Sequence, residues 1–509
     1  MTTLRERMNA PREHMHALRE HTSALRICAA AFLVLGAAVG QGAMAQPAQD
    51  PPPAALVEKG RQLAIAADCM ACHTAPASLG LPGGGKPFAG GYAIESPLGS
   101  IYATNITPSK VAGIGEYTEA EFARALRQGA RRDGSHLYPA MPYTSYTQLS
   151  DEDTGALYAY FMHGVAPVDA DAEKTTLPFP FSQRWSMAIW NLLFLDNQRF
   201  VPDATKSAEW NRGAYLAGAL GHCSACHTPR NALMAERGGQ ALAGGAVGPW
   251  YAPNITSDPV SGIGAWSEQE LVQYLRTGRV EGKAQAAGGM AEAVQNSLQH
   301  LPEADLRAMA VYLKGTPPIR DAPAKAGGDE KPAHAWGAAS STEATLRGSQ
   351  PFNSVARLTS GEQLYNGYCA SCHQSNGAGS RNQAYPSLFH NTATGLSNPA
   401  NLVAAILYGV DRQVGDTHVL MPRFDALSYV DPLTDTQIAD ISNYVLGRYG
   451  NAGARVSVAD VALARAGGPR PLLAQVQPYI LPAMGVGVLL LAWLAWTWAA
   501  RRRRARLAA

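Results

Sequence analysis

The sequence predicts an all-α chain: three small helical domains in series, then one C-terminal transmembrane helix. Three observations predict it. The segment Cys-x-x-Cys-His occurs at residues 69–73, 223–227 and 369–373. Capped amphipathic helices recur in the same order around the first two of these segments. An uncharged stretch, residues 479–500, stands near the C-terminus with four arginines directly behind it.

The pentads set the chemistry. Cys-x-x-Cys-His is the attachment signature of c-type haem. The two thiols add across the haem vinyl groups, and the adjacent imidazole supplies a nitrogen to iron. The covalent anchors are Cys69 and Cys72, Cys223 and Cys226, and Cys369 and Cys372, with His73, His227 and His373 as axial ligands. Other readings of paired cysteines fit less well. Structural zinc needs about four ligands in one cluster, and these pairs lie far apart. A thioredoxin-type pair needs a βαβ context. A disulfide leaves the following His unexplained. The fold is therefore read as three cytochrome c-type haem domains, carrying three covalently bound haem c groups.

The chain has 509 residues and a formal charge of +2, so nothing in its charge balance points to nucleic acid. Charged residues make up only 16%, while Gly (50) and Pro (34) are plentiful, which suits loop-rich domains wrapped round a cofactor. Residues 1–45 read as a signal peptide: five arginines, an apolar run, then Ala43-Met44-Ala45. An N-terminal membrane anchor is the alternative, although the run is short for a span. Cleavage removes Cys28, so all six remaining cysteines belong to pentads and no structural disulfide is expected.

The first domain spans 53–166. A helix over 60–67 leads into its pentad. A second helix starts on the capping box Thr118 and Glu121, and a third starts at Ser150 with Asp153 behind it. The second domain, 207–318, repeats the order. Tyr251-Ala-Pro-Asn254-Ile-Thr matches Tyr102-Ala-Thr-Asn105-Ile-Thr, and each is followed by Gly-Ile-Gly. Its capping box is Ser267 and Glu270, and Pro302 occupies the first position of its last helix. The third domain, 351–450, lacks this block. It keeps a leading helix capped by Thr359 and Glu362 and a closing helix capped by Thr434 and Gln437.

Between the first two domains lies a connector, 167–206, with Phe179, Phe181, Trp185, Trp190 and Phe194. Its aromatics read as packing between domains or as a docking surface for a partner subunit. Residues 319–350 form a Pro/Ala/Gly/Ser-rich linker, and 451–478 a second loose one. Residues 479–500 follow as the transmembrane helix. At about 1.5 Å per residue they span roughly 33 Å, enough for a bilayer. The basic tail 501–509 places that end in the cytoplasm and the haem domains in the periplasm.

Each iron needs a second axial ligand. Met141, before Pro142, and Met421, before Pro422, stand in loops ahead of the last helix of their domains. Met290 occupies the matching gap of the second domain, with Ala291 in place of proline. A thioether favours reduced iron and raises the potential. Met309 aligns with core positions. His136, His390 and His418 are rival ligands.

These residues resemble those of the tri-haem cytochrome c subunit of membrane-bound dehydrogenases of acetic acid bacteria and related proteobacteria. The likeness rests on Tyr102-Ala-Thr-Asn105-Ile-Thr-Pro108, His136-Leu-Tyr-Pro-Ala-Met141-Pro-Tyr, Trp210-Asn-Arg-Gly-Ala-Tyr215, Gly221-His-Cys223-Ser-Ala-Cys226-His227-Thr-Pro-Arg230 and the Met290 loop. Members serve alcohol, gluconate, sorbitol, fructose or aldehyde dehydrogenases. The resemblance implies a catalytic dehydrogenase subunit as partner (a quinoprotein, flavoprotein or molybdoprotein), ubiquinone as electron acceptor, and a place at the bacterial inner membrane. It assigns no catalytic residue to this chain. A free-standing electron shuttle to a terminal oxidase and a haem peroxidase are the alternatives; the peroxidase needs an open sixth position on one iron.

Overall fold

The computed structural model describes residues 52–79, 81, 83–96, 98–321, 331–340 and 358–507. The signal segment with Cys28, the first residues of the third domain and parts of the 319–350 linker lie outside the described residues.

Three times, the helix that leads into a pentad crosses a later helix at a glycine. Helix Ala54–Ala66 crosses Asp151–His163, Ala208–Tyr215 crosses Glu303–Lys314, and Gly361–Tyr368 crosses Asp435–Tyr449. A Cβ at Gly60 would stand 1.9 Å from the Ala156 carbonyl oxygen; at Gly213, 1.9 Å from that of Ala308; at Gly361, 2.3 Å from that of Asp440. No side chain fits, so the backbones touch. A tyrosine flanks each crossing: Tyr160, Tyr312 and Tyr444.

The helix starts follow from local chemistry. Capping boxes form at Thr118 with Glu121, Ser267 with Glu270 and Thr434 with Gln437, and Ser150 accepts from the amide of Asp153. The third leading helix differs from expectation by one residue: its box is Ser360 with Gln363, not Thr359 with Glu362. Pro302 caps its helix rather than opening it, and the first leading helix begins at Ala54 instead of residue 60.

The first two units share a core, and the second adds a smaller cluster of its own round Ile263, Trp266 and Leu271. A single cluster runs from Leu63, Phe122 and Leu157 through Leu216 and Leu220 to Leu306 and Met309. The third unit has its own core, built on Leu364, Tyr365, Leu407, Ile438, Val445 and Tyr449. Each leucine so buried contributes about 1.5–3 kcal/mol.

The chain is not purely helical. Among the described residues, four two-stranded antiparallel hairpins punctuate it, at 93–102, 245–252, 279–285 and 410–421. Most strands are two or three residues long, too short for a period-2 pattern to show. The 451–478 segment is also more ordered than expected. Helix Val458–Arg465, with its own capping box at Ser457 and Asp460, packs Val461 and Ala464 into the third core. Within the 319–350 linker, the described residues 331–340 pack too: His334 meets the Trp266 ring edge-on.

The connector holds helix Ser186–Phe194, none of whose residues is buried. At the C-terminus, helix Leu472–Leu507 includes the expected 479–500 span, with Pro478 and Pro482 inside it. Among the described residues it is the one helix long and apolar enough to cross a membrane.

Candidate haem-binding sites

Each pentad forms a short helical turn ending in its histidine. The first occupies helix Cys69–His73, entered through Asp68 in the left-handed region (φ 51°). The second follows a five-residue π-turn, Leu216–Leu220, and His222 at φ 37°. The third closes on helix Ala370–His373.

The three imidazoles are held alike. His73 Nδ1 lies 2.7 Å from the Thr104 carbonyl oxygen, His227 Nδ1 2.6 Å from that of Pro253, and His373 Nδ1 2.9 Å from that of Pro386. A carbonyl can only accept, so Nδ1 carries the proton and donates. That leaves Nε2 as the free lone pair in all three rings, the arrangement a metal-ligating histidine needs. Burial lowers the pKa of each ring, which keeps the imidazole neutral. The sequence drew attention to the repeated Tyr-Ala-x-Asn block without giving it a task. In the structure, the residue before each Asn supplies the accepting carbonyl. The Asn then folds its own loop: Asn105 Oδ1 accepts from the Thr107 amide and hydroxyl, and Asn254 Oδ1 from those of Thr256, at 2.9 and 2.7 Å in both units.

All six described cysteines are unpaired. Burial pushes the thiols of Cys69, Cys72, Cys223 and Cys369 up to about 12, and raises that of Cys226. Among the described residues, no group of three or more His, Cys, Asp or Glu could hold a metal ion.

The methionines stand against the same cores as the pentads. Met141, Met290, Cys69 and Cys223 all pack on the shared cluster; Met421 and Cys369 both pack on the third core. Met141 sits in a turn whose carbonyl accepts from the Tyr143 amide at 2.8 Å. Met290 lies in the first turn of helix Gly288–Asn296, and Met421 ends strand Thr417–Met421. Two of the rival histidines, His390 and His418, face solvent. His418 and Met421 are three residues apart on one strand, so they face opposite sides; His418 Nε2 pairs with Asp411 at 2.7 Å in solvent. His390 is exposed, and Met309 is fully buried core. His136 Nδ1 is buried without a partner.

The sites adjoin one another. Tyr146 donates to the Ala67 carbonyl at 2.8 Å and meets the His222 ring edge-on, joining the approaches to the first two pentads. The helix bearing Met290 packs on helix Cys69–His73 and also on the hairpin of Met421. There Gln295 Oε1 accepts from the Gln413 amide at 2.7 Å.

Paired free thiols beside a neutral imidazole with a free Nε2 are the groups that covalent attachment of haem c requires, and a half-buried methionine is the candidate second ligand of each site. This fold and these sites define a c-type cytochrome. Residues 57–164 and 358–448 match the cytochrome c family. The chain is 48% identical to the fructose dehydrogenase cytochrome subunit of Gluconobacter japonicus, over 91% of this chain and 96% of that one. It is 39% identical to the gluconate 2-dehydrogenase cytochrome c subunit of Pantoea cypripedii, over 81% and 90%. It is also 39% identical to the alcohol dehydrogenase (quinone) cytochrome c subunit of Komagataeibacter europaeus, over 81% and 84%. The chain belongs to this family of dehydrogenase cytochrome c subunits, and the family implies covalently bound haem c.

Proposed function

We propose that the chain is the membrane-anchored, three-haem electron-transfer subunit of a periplasmic dehydrogenase complex. It takes electrons from a catalytic subunit acting on a sugar, sugar acid, alcohol or aldehyde and passes them to ubiquinone. One repeated observation carries the reading: a pentad histidine locked through Nδ1 to a backbone carbonyl is built three times. The second unit lies outside the matched family segments, yet it repeats the histidine lock and the Asn–Thr loop bonds of the first.

Cys69, Cys72, His73 and Met141 would hold the first haem; Cys223, Cys226, His227 and Met290 the second; Cys369, Cys372, His373 and Met421 the third. Haem c supplies a one-electron carrier. The chain's own residues fix its ligands: the carbonyls of Thr104, Pro253 and Pro386 orient the imidazoles, and the cores behind the methionines keep water out. The helix Leu472–Leu507 anchors the chain, with its arginines in the cytoplasm.

The test uses the purified chain with and without its catalytic subunit. Substrate reduces the chain only when that subunit is present, and a ubiquinone analogue then reoxidises it. Iron analysis gives three per chain, and two after Cys223→Ala with Cys226→Ala. Rapid reduction of the lone chain by substrate, or two irons in the unaltered chain, overturns the reading.

A further inference from the structure

The helix Ser186–Phe194 is built inside out. Trp185, Ala188, Ile189, Leu192 and Leu193 recur at helical spacing on one face, and all five are exposed. Trp185 is 65% exposed, Ile189 54%, Leu192 81% and Leu193 56%. The opposite face turns inward and carries the polar groups. Asn191 accepts from the Tyr143 hydroxyl at 2.8 Å and donates to the Gln128 carbonyl at 3.0 Å; Trp190 Nε1 donates to the Leu233 carbonyl at 2.9 Å. The helix is therefore firmly seated, and its apolar stripe faces out by construction. A contiguous exposed apolar stripe marks a surface that something else covers.

Its position points to the cover. Gln477 Nε2 donates to the Phe179 carbonyl at 3.2 Å, tying the connector to the C-terminal helix two residues before the expected 479–500 span begins. Compact turns then lead straight into the helix: the amides of Ser182, Gln183 and Ser186 bond back to Pro178, Pro180 and Gln183. The stripe thus starts beside the level at which the chain leaves water. It has no charge and no hydrogen-bonding group except the Trp185 indole, a side chain suited to the lipid headgroup boundary. A protein partner's rim would be matched by polar groups.

We propose that this stripe lies in the periplasmic leaflet of the bilayer, a second and shallow attachment at the foot of the C-terminal helix. The inference rests on the anchoring reading above. The full chain is reconstituted in phosphatidylethanolamine–phosphatidylglycerol vesicles doped with a phosphatidylcholine that carries a diazirine near the headgroup end of one acyl chain. After illumination, labelled peptides are identified by mass spectrometry. Label is expected on residues 185–193 as well as on 479–500. Ile189→Asp with Leu192→Asp and Leu193→Asp should reduce the connector label to background, leaving haem stain and the 479–500 label intact. Label on 479–500 alone overturns the proposal and spares the anchor. Label on neither segment removes the anchor, and the proposal with it. Connector label that vanishes in the complete dehydrogenase complex assigns the stripe to the catalytic subunit and also overturns the proposal.

Discussion

The guanidinium of Arg412 donates to the carbonyl of Ala286, across the seam between the third and second units. Arg412 is 1% exposed. It projects from the hairpin that ends in Met421 and reaches into the loop that leads to Met290. Its other partner is the Gln285 side-chain oxygen at 3.2 Å. The bonded groups are thus uncharged, and burial lowers its pKa, although a guanidinium stays charged. A cation in this position favours an added electron nearby.

Replacing Arg412 by Met keeps the volume and removes the charge. The midpoint potential of at least one haem should fall by on the order of tens of millivolts, the size of a screened unit charge at this kind of range. A spectroelectrochemical titration reads it, with iron per chain unchanged. An unaltered titration means that the cation does not act on either neighbouring site.

Met290→His exchanges a thioether for an imidazole. One potential should drop by on the order of a hundred millivolts, within the ~0.8 V range that axial ligands span. The other potentials should stay in place. If none moves, Met290 is not a ligand, and the second iron takes its partner elsewhere.

Asp68 gives a pH-dependent test. Its Oδ1 is buried without a partner, and burial, with Glu292 nearby, raises its pKa from 3.8 to about 8. Between those values the folded chain holds a proton that the unfolded chain has lost, so stability falls as pH rises through that window. Asp68→Asn removes the effect and suits the left-handed backbone there. At pH 8 the variant should be more stable by about 1–3 kcal/mol, because an ionised carboxyl costs more than a neutral amide in that buried, unpartnered place. The gap should close below pH 4. Thermal unfolding of the two proteins across pH measures it; a constant gap refutes the assignment.

Deleting residues 479–509 should yield a chain that keeps its haem stain and leaves the membrane in a carbonate wash. The full chain should resist the same wash. If the shortened chain also resists, another segment holds it more strongly than a shallow helix can.

Side chains made the site legible, and backbone hid the rest. The pentads announce themselves because few residue types can do their work, and Met141 and Met421 follow from them as candidates. The locks on the imidazoles do not, since any residue offers a carbonyl and the acceptors lie 31, 26 and 13 positions away. Gly60, Gly213 and Gly361 were three among fifty glycines until the helix crossings gave them a role. At 359–363 two capping residues precede two good partners, so the register was ambiguous by one. Helix Val458–Arg465 is short and alanine-rich between glycines, and only the third core it covers makes it stable.

The interior that runs unbroken from Leu63 to Met309 ties two pentads into one cooperative block. Heat or denaturant cannot open either without exposing the packing of the other, so damage to one propagates. The third pentad rests chiefly on a second cluster, with only Val414 of its hairpin packed on the first. Calorimetry of the full chain should therefore resolve two transitions rather than three, the larger one belonging to the pair. A lesion such as Leu220→Ala should lower that transition alone, releasing both of its pentads at the same temperature.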